Sequence, residues 1–91
     1  MDEKTIEFLR LMREQVRGTN SREVNSRKAA RELDMAPGYP EYENRLADLM
    51  WARYLHPHPI SRLYKQGVHL ITARGIGTAN EAAADEAADE E

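Results

Sequence analysis

Along the first segment, MDEKTIEFLRLMREQVRG, apolar residues return at helical spacing: Ile6, Leu9, Met12 and Val16 form a stripe that Phe8 and Leu11 widen. The pattern predicts an amphipathic helix. Asp2, Glu3 and Glu7 near its start and Arg13 and Arg17 near its end suit the helix dipole, and Gly18 supplies the left-handed residue that often ends a helix. A polar loop then leads to an extended residue or two around Val24 and to a second helix from about Ser26 to Asp34. Asn25 is its expected N-cap, and Val24 and Ala29 have the spacing of a hydrophobic staple. Ala29, Ala30 and Leu33 make a narrow stripe that lets another helix come close, and Pro37-Gly38 closes the element.

A third helix is predicted from Pro40 to about Tyr54, where His56-Pro57-His58-Pro59 stops it. Its inner face carries Tyr42, Leu46, Leu49, Met50 and Tyr54; its outer face carries Glu41, Asn44, Arg45, Asp48 and Trp51. ISRLY and GVHLIT then read as two short strands joined by a tight turn at Gly67, with Ile60 and Leu63 or Tyr64 competing for the core. The second strand alternates poorly. Val68, Leu70 and Ile71 are all apolar, so one of them is expected on a surface that a single chain does not fully cover. The last stretch, 78–91, offers only alanine methyls for burial beside its acids, and is expected as a frayed helix or a disordered tail after a domain spanning 1–77.

A chain of 91 residues with 41% apolar and 32% charged residues fits one small domain. Such a domain hides only roughly 60% of the surface its unfolded chain exposes, which leaves little interior for a deep substrate pocket. Together with the lack of any recognisable nucleophile motif, this points to a binding protein and not to an enzyme. The absence of cysteine removes disulfides and thiolate metal sites. His56, His58 and His69 lack acids at ligand spacing, so neither a metal nor another cofactor is expected. No apolar run is long enough for a bilayer, and the acidic, amphipathic N-terminus is unlike a secretory signal, so a cytoplasmic protein without a membrane partner is expected.

The net charge of -3 is unevenly spread. All 13 Lys and Arg and ten of the 16 acids precede residue 81, which leaves 1–80 at +3 and the tail strongly acidic. A mildly basic body permits a polyanion partner, and the tail could compete with it for the basic face.

The order of helix, short extended piece, helix, helix and two-stranded hairpin resembles a winged helix-turn-helix domain of the small type found in bacteria, archaea and their viruses. VNSRKAARELDM looks like the second helix of such domains, EYENRLADLMWARYLHPHP like the third helix and its following turn, and QGVHLITARGI like the second wing strand running into a capping threonine, Thr72. The similarity covers roughly residues 3–77. It implies a mainly α fold of three helices plus a two-stranded wing, in which Gly67 makes the wing turn and Gly75 and Gly77 relax the exit. Gly75-Ile76-Gly77 is not a dinucleotide loop, because no strand-helix-strand unit fits in the residues that remain.

The resemblance implies duplex DNA binding in transcriptional regulation, with Asn44 and Arg45 contacting bases and Arg62 and Lys65 contacting phosphates. Arg22, Arg27, Lys28 and Arg31 would add phosphate contacts; the ordinary alternative is a solvated basic face. Against this stand Glu41 and Asp48, which would meet phosphates on the same helix face. The second reading is therefore a winged-helix adaptor that binds a protein through Trp51, Glu41 and Asp48, although the Trp51 ring could instead fold against the wing. Apolar surface at Phe8, Leu11 or Val68 would suit a homodimer in either case.

Overall fold

The computed structural model describes residues 1–89, with side chains as far as Ala84. Helix α1 (Glu3–Val16) is followed by strand β1 (Glu23–Asn25), helices α2 (Ser26–Glu32) and α3 (Pro40–Trp51), strand β2 (Leu55–Pro57), the short helix α4 (Ser61–Lys65), strand β3 (Val68–Ile71) and helix α5 (Ala73–Asp89). The fold is mainly helical with a small antiparallel sheet, but the sheet has three strands in the order β1-β3-β2, not the two expected. ISRLY, anticipated as a strand, mostly forms α4 instead, and the strand on the other side of β3 from β1 comes from the Leu55–Pro57 stretch expected only to stop α3.

Local chemistry accounts for most element ends. The Asp2 carboxylate accepts from the Thr5 amide at 2.9 Å and starts α1, and the Asn25 side chain accepts from the Lys28 amide at 3.0 Å and starts α2. Thr72 Oγ1 accepts from the Gly75 amide at 3.0 Å while donating to the Arg53 carbonyl at 2.7 Å, so the expected capping threonine also ties α5 to the end of α3. Two helices end through non-glycine residues in the left-handed region. Asp34 (φ 56) closes α2 with Met35 N–H on the Ala30 carbonyl, and Arg53 (φ 65) closes α3 with Tyr54 N–H on the Leu49 carbonyl. That turn at Arg53 ends α3 three residues before the predicted limit and frees Leu55–Pro57 to enter the sheet.

The core is built from Phe8, Leu9, Met12 and Val16 of α1, Ala29 and Ala30 of α2, Tyr42, Leu46 and Leu49 of α3, and Val24, Leu55 and Ile71 of the sheet. Phe8 is 0% exposed and cannot serve the homodimer surface proposed for it, while Leu11 and Val68 remain half-buried. Strand β3 alternates after all, with His69 and Ile71 buried and Val68 and Leu70 half-exposed. The inward place beside Ile71 is held by a histidine, which is why the apolar pattern misleads.

The boundary expected at residue 77 falls inside α5. Ala79 belongs to the core, Ile76 packs against it, and Arg13 Nε donates to Asn80 Oδ1 at 3.3 Å, so the first half of α5 is docked on α1. Gly75 lets the start of α5 lie against the turn between α3 and β2, since a Cβ there would lie 2.3 Å from the Tyr54 carbonyl oxygen. The stretch from 78, expected as a frayed helix or a disordered tail, continues α5 as far as Asp89; residues 90–91, and the side chains after Ala84, lie outside the described ones. No described helix is long and apolar enough to cross a membrane.

Candidate functional site

Helix α3 presents Asn44, Ala47, Asp48 and Trp51 along one solvent-facing stripe, with Glu41 and Glu43 on its flanks. Trp51 is 90% exposed, which corrects the alternative of a ring folded into the body. Among the described residues it is neither in the core nor packed against it. Asn44 and Asp48 are exposed, and their side chains make no hydrogen bond or ion pair among the described residues.

Arg45, expected to reach toward bases, is turned to the α1–α3 seam instead. Its guanidinium pairs with the Asp2 carboxylate, donates to Thr5 Oγ1 at 2.8 Å and lies 3.2 Å from Glu41, leaving the side chain 18% exposed. Glu41 also accepts from Lys4 at 3.0 Å. The Arg45 guanidinium, followed by the Thr5 amide, holds the Asp2 carboxyl far below the usual carboxylate range, and Lys4 is the main cause of a lowered Glu41. The outer face of α3 is thus left with two unpaired carboxylates, Glu43 and Asp48, beside the paired Glu41, and with no unpaired cation among the described residues.

The expected phosphate-binding residues lie on other elements. Arg22 precedes β1; Arg27, Lys28 and Arg31 are exposed on α2; Arg62 and Lys65 are exposed on α4 and not on a wing strand. Three of them, Arg27, Arg31 and Lys65, share the wall of an open cleft of about 580 Å³ between α2, α3 and α4. Arg27 is partly committed: its guanidinium donates to the Lys65 carbonyl at 2.6 Å and its alkyl stem covers Gly67. Gly67 has φ +91, as its turn requires, although the turn leaves a helix and not a strand.

Below this cleft lies a buried polar hub. The Gly67 carbonyl accepts from the Ser26 amide at 2.9 Å, from Ser26 Oγ at 2.8 Å and from His69 Nδ1 at 3.1 Å, and Tyr42 Oη donates to Ser26 Oγ at 2.7 Å. His69 is 2% exposed, its Nε2 has no partner among the described residues, and burial pushes its pKa down, so the ring is neutral. The sequence pattern places His69 on a strand and offers it only as a metal ligand, for which it lacks partners. Its buried role had one signal, a lone polar side chain alternating with apolar ones on a strand. His58 does other work: its Nδ1 accepts from the Ile60 amide at 3.0 Å, so its Nε2 donates to Glu23 at 3.1 Å and ties the β2–α4 loop to β1. Among the described residues no cluster of three His, Cys, Asp or Glu side chains could hold a metal ion.

Searches against protein-family models, curated proteins and solved structures found no match to this chain.

Proposed function

We propose that this domain is a protein-interaction module of winged-helix type that docks the outer face of α3, centred on Trp51, into an apolar pocket rimmed by Lys and Arg on a partner. The pairing of β3 with both β1 and β2, beside the α2–α3 helix pair, supports the winged-helix reading. The observation that carries the function is the 90% exposed Trp51 on a helix face whose unpaired charges among the described residues are Glu43 and Asp48, Glu41 being bound by Lys4 and Arg45. A large ring held in water at the end of a helix face, where a partner can enclose it, has the form of an interface anchor. The surrounding carboxylates would meet repulsion at a phosphate backbone and attraction at a basic protein surface.

A photo-crosslinking residue at position 51, compared with one at exposed Glu32, tests the reading once the joined protein has been identified and purified. The expected result is a product specific to position 51, and a binding loss of roughly 30-fold or more for Trp51→Ala, as for a hot-spot residue. Equal products from both positions, or unchanged affinity, would overturn it.

The second reading is duplex DNA binding, favoured by the exposed cations Arg22, Arg27, Lys28, Arg31, Arg62 and Lys65, with Asn44 as the one expected base reader still turned to solvent. Fluorescence anisotropy with a mixed-sequence duplex across a salt series separates the two. A linear fall of log affinity with log salt that Arg31→Ala reduces and Trp51→Ala does not would favour DNA.

A further inference from the structure

The cleft between α2, α3 and α4 has the composition of a ligand site and lies on the flank of α3 away from Trp51. Its rim brings Arg27, Arg31 and Lys65 together against a single carboxylate among the described residues, Glu43. Arg27 and Arg31 stand one helical turn apart on α2, where like charges repel, and no carboxylate pairs with either among the described residues. The remaining walls are apolar or aromatic, with Tyr42 and Leu46 from α3 and Tyr64 from α4. An anion would relieve the first feature, and a flat organic body would cover the second.

The lining also includes His69, whose polar inventory is incomplete. With Nδ1–H donating to the Gly67 carbonyl, Nε2 of the neutral ring carries a lone pair that needs a donor, and it is buried without one. A buried acceptor left unpaired is uncommon enough to call for an occupant. The Tyr64 ring packs edge-on to the imidazole at 5.4 Å and is 43% exposed, so it is the neighbour with room to turn aside.

We propose that this cleft binds a small organic phosphate, with the phosphate held by Arg27, Arg31 and Lys65, and a hydrogen-bond donor on the organic body reaching His69 Nε2 beneath Tyr64. Planar guanidinium forks match phosphate oxygens in pairs, which favours a phosphate over a single carboxylate on this rim. The bound molecule would bridge α2, α3 and the β3 turn, the three elements that meet at the Gly67 carbonyl. The site is independent of the Trp51 face and requires no partner protein.

The test is an NMR titration of the full-length, isotope-labelled protein with adenosine monophosphate, adenosine, inorganic phosphate and a short mixed-sequence duplex as separate probes. The expected result is that the monophosphate moves the amides of Arg27, Arg31, Gly67 and His69 and the His69 Nε2 resonance. Adenosine should bind at least about tenfold more weakly for want of the charge-assisted contacts, and inorganic phosphate should leave Nε2 unmoved. Arg31→Ala, at an exposed position without a partner, should weaken the monophosphate about tenfold, whereas Lys28→Ala, on α2 but outside the cleft, should not. Three results would overturn the proposal: no shifts at millimolar monophosphate, equal weakening by the two α2 variants, or movement of the same amides by the duplex alone.

Discussion

Arg45, in the middle of α3, pairs with Asp2, the residue whose carboxylate also caps the first turn of α1. One carboxylate therefore serves two helices. The side chain best suited to read a guanine edge is occupied in fastening α1 to α3, with Thr5 and Glu41 completing its contacts. The outer face of α3 becomes acidic as a result.

The same pairing predicts how stability depends on acid. The folded-state pKa of Asp2 lies below its ordinary value of 3.8, so its contribution is complete above that value and is lost as pH falls below it. Asp2→Asn should melt below the natural protein at about pH 7, and the gap should narrow steadily as the pH is lowered from about 4 toward about 2. Circular-dichroism melts across that range check it; a gap that stays constant with pH would refute the ion-pair account.

Arg45→Ala should lower stability, because it removes three contacts at a seam where the side chain is mostly covered. Trp51→Ala should leave it within about 0.5 kcal/mol, as is usual for an exposed position. Urea unfolding measures both. A marked destabilisation by Trp51→Ala would mean that the ring packs on the body in solution.

Gly75→Ala should destabilise despite putting a better helix former into α5. The added methyl would lie 2.3 Å from the Tyr54 carbonyl oxygen, a backbone atom that also accepts the Thr72 amide and cannot turn away. Overpacking of this kind costs about 1–3 kcal/mol against a helix-propensity gain of about 1 kcal/mol. Gly77→Ala, with open space at its Cβ, provides the contrast and should be neutral or stabilising. Differential scanning calorimetry of the two variants reads the difference.

At the polar hub the order of effects is predicted by who donates to whom. Tyr42→Phe removes one bond and leaves Ser26 Oγ still donating to Gly67, a loss of about 0.5–1.5 kcal/mol. Ser26→Ala strands the buried Tyr42 hydroxyl and should cost more, about 1–3 kcal/mol. The double variant should lose less than the sum of the two, and a double-mutant cycle in urea measures that coupling.

Much of this architecture was legible residue by residue. Local rules decide helix starts and glycine turns, and Asn25, Thr72, Gly18 and Gly67 all behave as their side chains and backbones require. The periodic apolar stripes of α1 and α3 likewise announced which faces would be buried, since that spacing is a property of the helix itself. Tertiary structure decided the rest. A left-handed Arg53 ends α3 where the sequence offers no glycine, because the turn it makes lets Leu55 pair with Ile71. His69 takes an inward strand position because the Gly67 carbonyl is there to receive its Nδ1 proton, a partner that exists only once the α4–β3 turn is formed. Arg45 chooses Asp2 over solvent for the same reason: the two charges are 43 residues apart in the chain and become neighbours only when α1 packs on α3. What depends on neighbours in the chain could be read from the sequence, whereas what depends on neighbours in space, including the charge of the face offered to a partner, was settled by packing.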